Sequence, residues 1–130
     1  MILTLRTDQP EAQLQLLSAD GTMIAEERWE AHRTLAATLV AKIQTFLAAH
    51  ESSTDQLAGI IVFSGSGSFT GLRIGATVAN ALAYSHRLPI AAGLDEDWII
   101  DGLQKLKSAE PGKYVIPTYD REPNITKPKE

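Results

Sequence analysis

The amino-acid sequence predicts a single α/β domain built on a mixed five-stranded sheet, with an antiparallel three-strand meander and helices on its faces. Three observations carry that prediction. The Asp20-Gly21 step joins two extended segments, a strong hairpin signal. The run Gly59 to Phe63, GIIVF, is continuously apolar and of strand length, as a central strand covered on both faces requires. On either side of that run, apolar residues recur every three or four positions, the spacing of crossover helices.

In chain order, Ile2, Leu3 and Leu5 start a first strand. Ala12, Leu14 and Leu16 alternate with Gln13 and Gln15 in the period of a half-buried second strand. After the Ala19-Asp20-Gly21 turn, Thr22 to Trp29 returns antiparallel, with Met23 and Ala25 on one face. From Thr34 to Ala49, Leu35, Leu39, Ile43 and Phe46/Leu47 mark an amphipathic helix that turns Lys42 and Gln44 outward. It crosses to the GIIVF strand, which runs without a linker through SGSGSFTGLRIG (Ser64 to Gly75) into a second helix, about Thr70 to His86. That helix has scarcely any polar face, so it is expected to be buried on more than one side. Its small residues Gly75, Ala79 and Ala83 fall at i, i+4 and i+8, which lets another axis approach closely. Two readings stay open here: a partner's helix against this row, or a row packed inside the chain's own domain.

Leu88 to Ala92 reads as the last core strand. Asp95 opens a third helix with Trp98, Ile99, Leu103 and Leu106 inward; Gly102 is expected to weaken it, and Glu110-Pro111-Gly112 to stop it. The expected division is a lobe over 1–110, then a C-terminal strand (Tyr114 to Pro117) and extended tail over 111–130. The tail from Thr118 carries three charges of each sign and two prolines, a composition that does not pack as an independent element.

Composition narrows the function. The chain has 44% hydrophobic residues, 22% charged residues and a net charge of -4, values of an ordinary globule without the clustered basic face that grips nucleic acid directly. Zero cysteines remove thiolate metal sites, cysteine nucleophiles and disulfides, consistent with a reducing compartment. No apolar stretch reaches membrane-spanning length, and a cytoplasmic protein is expected. His32, His50 and His86 form no helical metal pair, so no metal site is expected. The glycine run lacks the lysine of a P-loop, and Gly65-Ser66-Gly67 lacks the spacing of a serine nucleophile elbow, so no catalytic residue is assigned. A phosphate cradle at the helix N-terminus would use Ser66, Gly67, Ser68, Thr70 and Gly71. A structural turn anchored by Phe69 is the stronger reading: burying that ring contributes about 2–3 kcal/mol, against ~0.3–1 kcal/mol for an anion at a helix end.

SGSGSFTGLRIG, followed by an alanine-rich helix and HRLPIAAG, closely resembles the GPGSFTGLRIG hallmark of the TsaB (YeaZ) family, the partner subunits of bacterial tRNA threonylcarbamoyladenosine synthesis. The resemblance extends through the opening strand, the hairpin and His32, over roughly the first ninety residues. It implies a single actin-like (RNase H-like) lobe where family members have two in tandem. The closing IPTYDREP resembles the end of full-length members, which suggests an internal deletion of the second lobe. Where full-length relatives place an Asp-Thr pair after the first strand, this chain has Arg6-Thr7, with Asp8 the nearby carboxylate, and Ser66 stands in place of the usual proline.

The resemblance therefore implies a non-catalytic scaffold subunit that binds and activates the catalytic paralogue TsaD by helix packing, with the ATPase TsaE as further partner and tRNA met indirectly. No cofactor is expected on this chain alone; ATP and magnesium are expected in the assembled complex. The interface candidates are Leu72, Gly75, Ala76, Ala79 and Ala83, with Leu39 and Ile43 on the first helix. Two alternatives are a small nucleotide-binding or phosphotransfer protein using the Ser64 to Gly71 turn, and a homodimeric structural module.

Overall fold

The meander forms where the alternation places it. In the computed structural model, which describes residues 1–67 and 69–117 apart from the side chains of His32 and Phe69, β1 (Ile2–Arg6) pairs antiparallel with β2 (Glu11–Leu17). β2 pairs antiparallel in turn with β3 (Met23–Glu30). The hairpin turn needs the glycine, because Gly21 has φ 93°. The Ser18 hydroxyl and the Thr22 amide donate to the Asp20 carboxylate, which lowers its pKa to about 2.

β4 (Gly59–Phe63) adds parallel to β1, and β5 (Ile90–Gly93) parallel to β4, giving one five-stranded sheet in the order β3-β2-β1-β4-β5. The period-two rule then sorts the apolar residues by face. Leu3, Leu5, Leu14, Leu16, Ile60 and Val62 point to one side, where α1 (Leu35–Ala49) and α2 (Phe69–His86) cover them. Ile2, Leu17, Ile61 and Phe63 point to the other, under α3 (Trp98–Leu106). All five residues of β4 are buried, as its unbroken apolar run predicts.

Several expectations need correction. The last strand begins at Ile90, not Leu88, because Arg87 and Leu88 are used to end α2. Arg87 adopts φ 55°, its N–H bonds the Tyr84 carbonyl, and the Leu88 N–H reaches back to Ala83 at 2.8 Å, a Schellman cap. The third helix starts at Trp98, since Asp95 is left-handed at φ 65°. Gly102, expected to weaken that helix, also has a packing role. A Cβ there would stand 2.3 Å from Ile61 Cγ2, so the glycine lets α3 lie directly on the sheet. Tyr114 to Pro117 is not a strand; its backbone is held by the Asn80 side chain of α2, which donates to the Val115 carbonyl (3.0 Å) and accepts from the Val115 amide (2.9 Å). The tail from Thr118 lies outside the described residues.

Candidate functional site

The junction between β4 and α2 is built by close backbone approach. After Phe63, the Ser64 amide bonds the Gly93 carbonyl at 2.9 Å, and the Gly65 carbonyl accepts from Asp95 N at 2.8 Å. α2 then begins against the end of β1: a Cβ at Gly71 would lie 2.0 Å from the Thr7 carbonyl oxygen, and one at Gly75 would lie 2.2 Å from Thr7 Oγ1. Thr7 itself is buried and donates its hydroxyl to the Gly71 carbonyl at 2.7 Å. The glycines of SGSGSFTGLRIG thus seat a helix on a strand end.

Asp8 faces this turn; a Cβ at Gly67 would lie 2.8 Å from it. Its carboxylate, 7% exposed, is bonded by Arg6 Nε at 2.8 Å, and the Arg6 guanidinium lies 4.0 Å from the centre of the Phe63 ring. A stacked arginine therefore already neutralises the carboxylate beside the turn.

Among the described residues, the phosphate-cradle candidates Ser66, Gly67, Thr70 and Gly71 do not converge on one cavity. Ser66 lines an open cleft of about 800 Å³ with Arg6, Phe63 and the segment Leu94 to Asp97. Thr70 and Gly71 line a separate depression with Asp8 and Arg33, while Gly67 abuts Asp8. Ser68 and the anchoring role of the Phe69 side chain fall outside the described residues. The cleft lies at the C-terminal ends of the parallel strands, the usual ligand position in α/β sheets. Its charge suits no polyphosphate: Asp95, Glu96, Asp97 and Asp101 line it, and its cation, Arg6, is paired. Lys105 and the Leu94 amide hold the Asp101 carboxyl below its ordinary value, so it stays charged. The residues here do not fit a magnesium-bound triphosphate, since the carboxylate nearest the turn is taken by Arg6. Among the described residues, no group of three or more His, Cys, Asp or Glu side chains could hold a metal ion.

The interface candidates are placed differently from the expectation. Leu72, Ala79, Leu39 and Ile43 are fully buried, Ala83 and Ala76 are 1% and 4% exposed, and Gly75 faces Thr7. The small-residue row seats α2 on its own sheet and offers no surface to another chain. The open side of the helix pair is the opposite one. Ala36 on α1 and Thr70, Arg73, Ile74, Thr77 and Val78 on α2 form a groove of about 390 Å³, with Val40 and Ala81 exposed one turn further along. Charge is scarce there. α1 carries a single charged residue, Lys42, which turns away to Glu27 on β3 (3.4 Å), and apart from His86 the one ionisable cation of α2 is Arg73. That scarcity is legible in the sequence; the direction of the face is not, because small residues occur on both sides of α2.

Fold and junction together define an actin-like, RNase H-like lobe in which the glycine turn places a helix. A family model described as "TsaD: tRNA N6-adenosine threonylcarbamoyltransferase" matches residues 18–93, more than half of the chain, and the chain belongs to that family. Within it the chain is TsaB-like. It is 33% identical over 91 residues to the tRNA threonylcarbamoyladenosine biosynthesis protein TsaB of Bacillus subtilis (strain 168), covering 70% of this chain and 39% of that protein. The solved structure of YeaZ from Pseudomonas aeruginosa superposes with a TM-score of 0.65 at 26% identity, over 72% of this chain and 43% of that one. The chain thus spans about two fifths of the length of these relatives. RuvC from T. thermophilus shares the fold alone, at a TM-score of 0.58 and 8% identity, over 85% of this chain and 98% of its own.

Proposed function

We propose that this chain is a non-catalytic subunit in tRNA threonylcarbamoyladenosine biosynthesis that binds a TsaD-type catalytic paralogue through the outer face of α1 and α2. The observation that carries the reading is that face: two long helices, exposed along one side, with Lys42 and Arg73 as their only lysine or arginine residues. Solvated helix faces are ordinarily rich in charge, whereas interface centres are depleted of it. Family membership supports a TsaD-type paralogue as the partner. A paralogue of the same family carries a corresponding lobe, so two such helix pairs can pack on each other as a pseudo-symmetric bundle.

Within that assembly the chemistry belongs to the partner, along with ATP and magnesium, and a TsaE-type ATPase is the further expected component. The Arg6–Asp8 pair beside the turn supports this division, because a cation already occupies the carboxylate that a metal would need. In this reading the lobe works in the cytoplasm; among the described residues no helix is long and apolar enough to cross a membrane. The test is titration of the purified TsaD-type subunit with this chain, comparing wild type with Ala81→Glu and Val40→Glu. Binding by wild type and its loss in both variants is expected; full retention in both would place the interface elsewhere.

A further inference from the structure

The segment after α3 carries a second feature of the same side of the molecule. Val115 turns inward onto the main core, and its amide and carbonyl are both taken by the Asn80 carboxamide. A side-chain amide thereby does what a neighbouring strand would do, and the segment lies as a strap along α2 without joining the sheet. The residues on either side of Val115 point outward: Tyr114 is 71% and Ile116 69% exposed. Tyr84, one helical turn beyond Asn80, is 80% exposed, and Pro111 and Gly112 share a depression with it.

These side chains border the outer face of α2, where Thr77 and Ala81 are exposed. That face is lined mostly by small and mid-sized side chains, Ala36, Thr70, Thr77, Val78 and Ala81, with Arg73 and Ile74 as its larger members. Interfaces concentrate their affinity in a few large side chains, tyrosine prominent among them. Tyr84, Tyr114 and Ile116 are three of the seven large apolar or aromatic side chains found exposed among the described residues, and the Asn80–Val115 bonds tie the strap that carries Tyr114 and Ile116 to the helix that carries Tyr84.

We propose that the strap is part of the partner-binding surface, with Asn80 the latch that presents Tyr114 and Ile116 beside Tyr84 to the TsaD-type subunit. The proposal rests on the reading of the α1–α2 face given above. Asn80 acts as a positioning residue, and Tyr114 and Ile116 make the contact. Two variants separate these roles. Asn80→Leu keeps a good helix former at a half-buried position but removes both bonds to Val115. Tyr114→Ala with Ile116→Ala keeps the latch and removes the anchors.

Titration calorimetry with the purified TsaD-type subunit, alongside hydrogen exchange at the Val115 amide and thermal melting, tests the assignment. Both variants are expected to melt near wild type and to bind roughly tenfold or more weakly. Faster Val115 exchange is expected in Asn80→Leu alone. Affinity within twofold of wild type in both variants, while Ala81→Glu abolishes binding, would overturn this inference and leave the underlying reading standing. Unchanged Val115 exchange in Asn80→Leu would overturn the latch. Absence of binding by wild type itself would overturn both.

Discussion

Thr7 is the residue on which the glycine turn closes. Its carbonyl lies where a methyl group on Gly71 would have to go, and backbone atoms cannot rotate aside, so Gly71→Ala is expected to destabilise the fold by about 3 kcal/mol or more. Gly75→Ala meets the Thr7 hydroxyl, a movable group, and should cost less, about 1–3 kcal/mol, partly through the lost bond to the Gly71 carbonyl. Urea unfolding of both variants measures the order; equal stability to wild type at Gly71→Ala would contradict the close seating. Asp101 gives a pH prediction. Its carboxyl is held below the ordinary 3.8 by Lys105 and the Leu94 amide. A depressed folded value stabilises above the unfolded value and is lost as pH falls through the folded one. Thermal stability should therefore decline below about pH 4, and the decline should be smaller in Asp101→Asn, as melting curves between pH 3 and pH 6 would reveal.

At the scale of elements, α2 separates a structural face from a binding face. Ala79 is fully buried against the core, so Ala79→Glu is expected to cost several kcal/mol and to unfold or strongly destabilise the chain by stranding a carboxylate. Ala81, two residues on, is exposed, and Ala81→Glu should leave stability within about 0.5 kcal/mol. Circular dichroism melts of the pair check this; equal destabilisation would contradict the assignment of faces. Here the limits of sequence reading are plain. Periodicity located α1, β4 and α2 to within a residue or so, because each has a strong apolar pattern. It could not orient α2, whose small residues leave no polar side to point at solvent. Tyr114 to Pro117 has the apolar composition of a strand, yet the amide of Asn80, thirty-five residues earlier, decides its fate. No local pattern carries that bond, and none reveals that Arg6 would pair with Asp8 beneath the turn.

At the scale of the molecule, the described residues form one sheet packed by α1 and α2 on one face and by α3 on the other. Both cores close within the described residues: the second cluster, from Ile2 to Trp98, is sealed by α3 resting on Gly102. The outer α1–α2 face, with Val40 exposed, is one of the surfaces this leaves open, beside Met23 and Ile24 on β3 and Ile100 on α3. The family signature in SFTGLRIG was legible from the sequence, since eight consecutive residues matched, and the family model and relatives agree with it. The most direct test of the central claim is the affinity of the purified TsaD-type subunit for wild-type chain and for Ala81→Glu, measured by calorimetry on proteins of equal melting temperature. Binding by wild type, weakened at least tenfold by the substitution, is the predicted result. Equal affinity of the two, or no binding by either, would contradict it.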